Sequence, residues 1–127
     1  TVHGGGGRFA HRRIAFLSQR RFPIDMKISM QQVALAFPVV VFAHKLEDNT
    51  RKVMDISECI VHDDGELEYR TLYRYKIHSN EYVDGQFHIV GEFIQENSPS
   101  EYLRSKLLRG GIPHELLKRF EREEGSV

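Results

Sequence analysis

The chain has 127 residues, enough for one hydrophobic core but not obviously for two. Its 18 basic and 18 acidic residues cancel, so the basic footprint of a protein that grips phosphate backbones is absent and no nucleic-acid partner is expected. No apolar run approaches the roughly 20 residues that cross a bilayer, the first residues do not read as a signal peptide, and the single cysteine, Cys59, excludes an internal disulfide or multi-thiolate metal site. The expectation is a cytosolic chain with Cys59 as a small core residue.

In residues 8–20, Ala10, Ile14 and Leu17 recur at helical spacing while Arg8, Arg12, Arg13, Arg20 and Arg21 fill the other faces or the end. The spacing predicts an amphipathic helix with a basic exposed side. Ser29 stands three residues before Gln32 as in a capping box, and Met30, Val33, Ala34 and Phe37 mark one face of a second helix that Pro38 stops. The run Val39 to Ala43 has the composition of a strand buried on both faces, which after a helix suggests an α/β unit.

Beyond it the pattern becomes alternation. Polar turns are predicted at Glu47–Thr50, Asp63–Gly65 and Asp84–Gly85. Between them lie Met54, Ile56 and Ile60, then Leu67 to Ile77 with an interruption near Thr71, then Phe87, Ile89 and Phe93, a mostly antiparallel set of hairpins. Ser98-Pro99-Ser100-Glu101 reads as a helix start with an N-cap serine, a proline in the first turn and a glutamate closing the box. That helix carries Leu103, Leu107 and Leu108 to Gly110-Gly111. Pro113 opens a last one with Leu116, Leu117 and Phe120, and Glu121 to Val127 is expected to fray.

Candidate chemistry is sparse. His3 precedes Gly4-Gly5-Gly6-Gly7 and a helix, and glycine-rich backbone before a helix can cradle phosphate. A Walker A loop, however, requires a lysine and a hydroxyl residue after its last glycine, whereas Arg8-Phe9 follow here. The local alternative is a flexible hinge or linker. The seven histidines show no metal-motif pairing, so no metal site is expected. His62-Asp63-Asp64 is read as turn chemistry, and no serine occupies a nucleophile elbow. The sheet aromatics Tyr69, Tyr73, Tyr75, Tyr82, Phe87 and Phe93 are expected to pack against the terminal helices or a partner rather than to stack on bases.

The order of these segments resembles the C-terminal half of the type II/IV secretion system ATPases, most closely the branch that powers Flp or tad-type pilus assembly. Thr1-Val2-His3 is similar to the family's His box. The arginine-bearing helix follows, then "ISMQQVALAF", "PVVVFAHKLED" and "NTRKVMDISE" across residues 28–58, the most specific stretch, and "SEYLRSKLLRGGIPHELLKRF" at 100–120 resembles the closing helices. Residues 62–97 are the least diagnostic.

The resemblance implies an α+β unit containing part of a RecA-like α/β core at residues 1–61, antiparallel strands at 62–97 and C-terminal helices at 98–124. It implies ATP and Mg2+ as cofactors of the parent ring, with none held tightly by these residues, which have no Walker A loop and are expected to be inactive alone. By the same resemblance His3 is a sensor near the γ-phosphate, although Gly4-Gly5 stand where the family usually has alanine and asparagine. Arg12, Arg13 and Arg51 are candidate contacts to a phosphate or a neighbouring subunit. Implied partners are further copies, as a hexamer in the parent with a dimer open to the fragment, and an inner-membrane platform protein. The implied place is the cytoplasm, peripheral at the inner face of the cell membrane. The alternative function is a free-standing protein–protein interaction module without nucleotide chemistry.

Overall fold

The computed structural model describes residues 1–3, 5–21 and 23–121; Gly4 of the glycine run, Phe22 and the terminal stretch expected to fray beyond Glu121 lie outside the described residues. Helix α1 spans Gly7–Gln19. It buries Gly7, His11 and Ala15, one stripe at i, i+4, i+8. The expected stripe through Ala10, Ile14 and Leu17 is therefore rotated, and Leu17 is 47% exposed. Small residues on either side of His11 let the helix approach the sheet closely, which outweighs the larger apolar side chains on the neighbouring face.

Helix α2 spans Met26–Ala36 and starts earlier than the sequence suggests. Asp25 is its N-cap, its carboxylate accepting from the Lys27 N–H at 2.8 Å. A charged acceptor at the positive end of the helix outcompetes the later hydroxyl of Ser29. Ser29 instead lies inside the helix, 2% exposed, its Oγ without a hydrogen-bond partner.

Four strands, β1 (Val39–Lys45), β2 (Arg51–Val61), β3 (Leu67–Val83) and β4 (Gln86–Gln95), form an antiparallel meander in the order β1-β2-β3-β4. The chain is thus mixed α+β. Strand β1 is an edge, and the expectation that it is buried on both faces is overturned: Val39 is 39% and Val41 56% exposed. Helices α1 and α2 pack on each other and against β1 and β2, but this leaves the outer side of β1 bare.

Strand β3 is unbroken. The predicted interruption near Thr71 is a bulge, because Ser57 pairs with Thr71 and Ile56 with Tyr73, leaving Leu72 out of the ladder. The Leu72 carbonyl is taken up by the Glu96 and Asn97 N–H groups, and its side chain is buried. Pairing between β2 and β3 ends at Arg74, whereas β3 and β4 stay paired to Val83. Past Arg74 the sheet therefore narrows to a two-stranded ribbon. It closes at Asp84-Gly85, where both residues have positive φ (52° and 77°), as a two-residue type I′ turn requires.

Helix α3 (Glu101–Arg109) is capped by Ser100 rather than Ser98: the Ser100 Oγ accepts from the Leu103 N–H at 3.2 Å. Helix α4 (His114–Lys118) follows Pro113, and Leu103 and Leu117 are the buried residues of the two. An ion pair joins Arg104 to Glu121. The accessible surface is 9334 Å², against about 7,000 Å² expected of a compact chain of this mass. Large apolar side chains, among them Phe9, Phe16, Val41 and Val90, remain more than half exposed.

Candidate functional site

The glycine-led start of α1 meets the sheet where β2 and β3 face each other. Gly7 is buried, and a Cβ there would lie 3.1 Å from the Tyr69 ring and 3.6 Å from Val40, so glycine permits the contact. One turn on, His11 is 1% exposed and bonded at both ring nitrogens: Nε2 to the Phe37 carbonyl at 2.8 Å and Nδ1 to the Tyr69 hydroxyl at 2.8 Å. A carbonyl only accepts, so Nε2 carries the proton and a neutral ring accepts at Nδ1 from the Tyr69 O–H. Cys59 is the partner of the same tyrosine across the β2–β3 ladder.

Burial governs the acid–base behaviour of this cluster. It lowers the His11 pKa, with the bond to Phe37 acting the other way. It raises the Cys59 thiol, only partly offset by the neighbouring Tyr69 hydroxyl and the positive charge of Arg8. It also raises the Tyr69 phenol, reinforced by Cys59. The un-ionised Tyr69 phenol, the neutral His11 imidazole and the Phe37 carbonyl form a relay of hydrogen bonds with the un-ionised Cys59 thiol beside it, not a nucleophile and base: a thiol reacts as thiolate, which this setting disfavours. The relay joins α1, the end of α2 and β3.

Outside the relay, a cavity of about 360 Å³ is lined by Gly5, Gly6, Gly7, Arg8, Arg12 and Tyr69, together with Phe9 and Ser57. Arg8 lies over the Tyr69 ring, 4.9 Å from its centre, and reaches the Leu67 carbonyl. The N-cap Gly6 has no side chain to cap the helix. The glycine run and Arg12 are therefore brought to one place. A second, apolar cavity of about 480 Å³ follows the bare side of β1 from Val39 to Phe42 and includes Thr1, Val2 and Ile14.

The other predicted residues are dispersed. His3 is exposed in the segment before α1. Arg13 is exposed and shares a shallow hollow of about 240 Å³ with Phe9, Arg12 and Phe16. Arg51 is exposed at the start of β2 beside Lys45, at the far end of β1 from α1's first turn, so it does not join Arg12 and Arg13. Among the described residues no three histidine, cysteine or acidic side chains gather as a metal site, and no helix is long and apolar enough to cross a membrane.

Sequence reasoning missed His11, Tyr69 and Glu58. Glu58 is fully buried and accepts from the Ser100 N–H at 3.0 Å and from its hydroxyl, tying α3 to β2. For His11 a signal was present: Gly7 and Ala15, four residues to each side, mark a helix face that closes tightly on a neighbour. Compared with known proteins, the chain matches no family model and no curated protein.

Proposed function

We propose that the chain is the C-terminal part of a hexameric ATPase that powers type II/IV secretion or pilus assembly, of the Flp or tad-type branch it resembles, and that it does not hydrolyse ATP alone. The observation that carries this reading is β1. Its sequence is that of a strand covered on both faces, yet it stands at the sheet edge with Val39 and Val41 exposed. A bare apolar edge is a template for pairing with another strand, and stable proteins cover or blunt such edges. Further strands of a RecA-like core would pair its free edge, and helices of that core would cover the face that carries Val39 and Val41.

The nucleotide fits these residues only in part. The open amides of α1's first turn, Arg8 and Arg12 suit a contact to a terminal phosphate. The sequence has no glycine–lysine–hydroxyl loop, and among the described residues no carboxylates gather to hold the remainder or its magnesium. In the parent ring, bound ATP with Mg2+ would supply the phosphoryl-transfer chemistry. His3 and Arg12 or Arg13 would report on the phosphate, Arg51 would face a neighbouring subunit, and the ring would work at the inner membrane face against a platform protein.

The test is the reading frame and activity together. A frame that continues upstream through a Gly-Lys-Thr/Ser motif, with ATP turnover by the whole product and none by this chain, is the expected result. A frame that opens near Thr1, or turnover by this chain alone that His3→Ala abolishes, would sink the reading. The exposed ribbon aromatics favour the other reading, an interaction module without nucleotide chemistry: Tyr82 is 65% and Phe93 47% exposed. A frame opening near Thr1 with no turnover selects it.

A further inference from the structure

Past Arg74 the ribbon has two unlike faces. In an antiparallel pair, residues in register share a face and successive residues alternate. Strand β4 alternates without interruption, so Phe93, Gly91, Ile89 and Phe87 lie on one face. Strand β3 sets Tyr73, Tyr75 and Ile77 on that face, and strict alternation would then add Ser79 and Glu81. The bulge at His78 prevents this: Ser79 pairs with Val90 and Tyr82 with Phe87, so the phase of β3 is reset and Tyr82 joins the aromatic face. Ring contacts agree with the assignment, Tyr73 stacked on Phe93 at 5.6 Å and Tyr82 tilted against Phe87 at 4.9 Å. The opposite face takes the charges, with Lys76 across from Glu92 and Glu81 across from His88. Among the described residues the aromatic face is left open, Ile77, Tyr82, Phe87 and Phe93 all being exposed.

The pattern of this face is complementary to itself. None of the β3 or β4 side chains on it is charged, so a like face meets no repulsion from them; Lys52 reaches it as a cation over the Tyr75 ring, 5.8 Å from its centre. Ile77 and Gly91 form the central pair, with stacked or tilted rings at either end. Gly91 lets the Tyr75 ring lie across the backbone, where a Cβ would come within 2.8 Å of it. Turned end for end, the face therefore sets Ile77 against Ile77 and the rings of the tip against those of the base. The base also fixes the direction. Glu58, two residues along β2 from the Ile56 that pairs with Tyr73, holds α3 on this side, and the Gln95 amide holds the Phe120 carbonyl just past α4. These helices bar a stack of base on base, and Leu116 and Phe120 are exposed on them.

We infer that the aromatic face of the ribbon packs on the same face of a second copy, inverted end for end about a two-fold axis at the Ile77–Gly91 pair. From Tyr73 to Val83 strand β3 runs on the order of 35 Å, and two ribbons laid together bury about 500 Å² on each copy, about 1,000 Å² in all, where specific contacts begin. The same patch serves on both sides, so the contact closes at two copies and does not propagate into a ring or filament. It uses neither the β1 edge nor the arginines of α1, and it stands whichever reading of the function holds.

Sedimentation equilibrium of the whole chain over a concentration series is expected to show monomers and dimers and nothing larger, with little dependence on salt because no ion pair holds the contact. Ile77→Lys and Ile77→Glu each oppose their own charge across the axis and should each weaken the dimer about tenfold or more. An equimolar mixture of the two should recover it, which requires that position 77 of one copy face position 77 of the other. A chain still monomeric at about 1 mM, growth beyond two copies, a dimer indifferent to both variants (as pairing through β1 would give), or a mixture no tighter than either variant would overturn the inference. Should a variant lose its far-UV signature, Ile77→Cys replaces both. Mild oxidation should then link two copies through residue 77 while the unchanged chain, whose Cys59 is buried, stays unlinked; no link at a concentration where the chain is dimeric overturns the inference equally.

Discussion

The half of the sheet beneath the helices and the ribbon that leaves it belong to one meander, but they are held by different physics. Near the helices, His11, Ser57, Glu58, Cys59 and Leu72 are buried, and polar groups find partners far away in sequence: His11 with Tyr69, Glu58 with Ser100. From Tyr73 to Gln95 no residue is buried. The ribbon relies on backbone pairing, the stack of Tyr73 on Phe93 at 5.6 Å and exposed pairs such as His78 with Glu92. Two-stranded ribbons with these resources are marginal in water. One region spends its side chains on its own core; the other presents them outward.

The sharpest way to break the first region is at Glu58. Replacing it by alanine leaves the Ser100 N–H and hydroxyl without their acceptor in a setting closed to water, and removes the tie between β2 and α3. The expected cost is about 3 kcal/mol, read as a lower urea midpoint at unchanged slope. The equivalent disturbance in the ribbon should cost far less, because water can replace what is lost there.

The next largest effect is at His11. Burial holds its folded-state pKa below the ordinary 6.5. As pH falls below that value the unfolded chain takes up a proton that the folded chain refuses. Stability is therefore full above about pH 6.5 and declines as pH drops, levelling once the folded-state pKa is passed. His11→Gln, which can still donate to Phe37 and accept from Tyr69, should flatten this part of the profile; His11→Ala should cost about 2 kcal/mol at neutral pH through the orphaned partners. A His11→Gln profile as steep as that of the unchanged chain would mean that another group carries the dependence.

These contrasts also separate what the sequence shows from what it hides. The turn at Asp84-Gly85 was legible because its chemistry is local: two residues that tolerate positive φ between alternating strands. The end of α3 at Gly110 and the start of α4 after Pro113 were legible for the same reason. The exposure of β1 was not, since composition reports what a strand suits and not whether a neighbour is beside it. Nor was the bulge at Leu72, which is set by the ladder across from it. Glu58 and Ser100 are 42 residues apart, and His11 and Tyr69 58, so no local pattern pairs them. Of the expected site, the structure joins Arg12 to the glycine run and leaves Arg51 at the opposite end of β1.

The smallest expected effect sharpens the comparison most. Tyr82 is 65% exposed, touches Phe87 and lies at a tip whose turn is fixed by Asp84 and Gly85 rather than by packing. Tyr82→Ser should therefore change folding stability by no more than about 0.5 kcal/mol, the range of an exposed substitution, while Gly85→Ala, forced to hold φ at +77° with a side chain, should cost about 1 kcal/mol. A Tyr82→Ser midpoint lowered as far as that of Gly85→Ala would mean that side-chain packing holds the ribbon's tip; a midpoint left in place means that the turn backbone holds it and the tyrosine contributes little to folding.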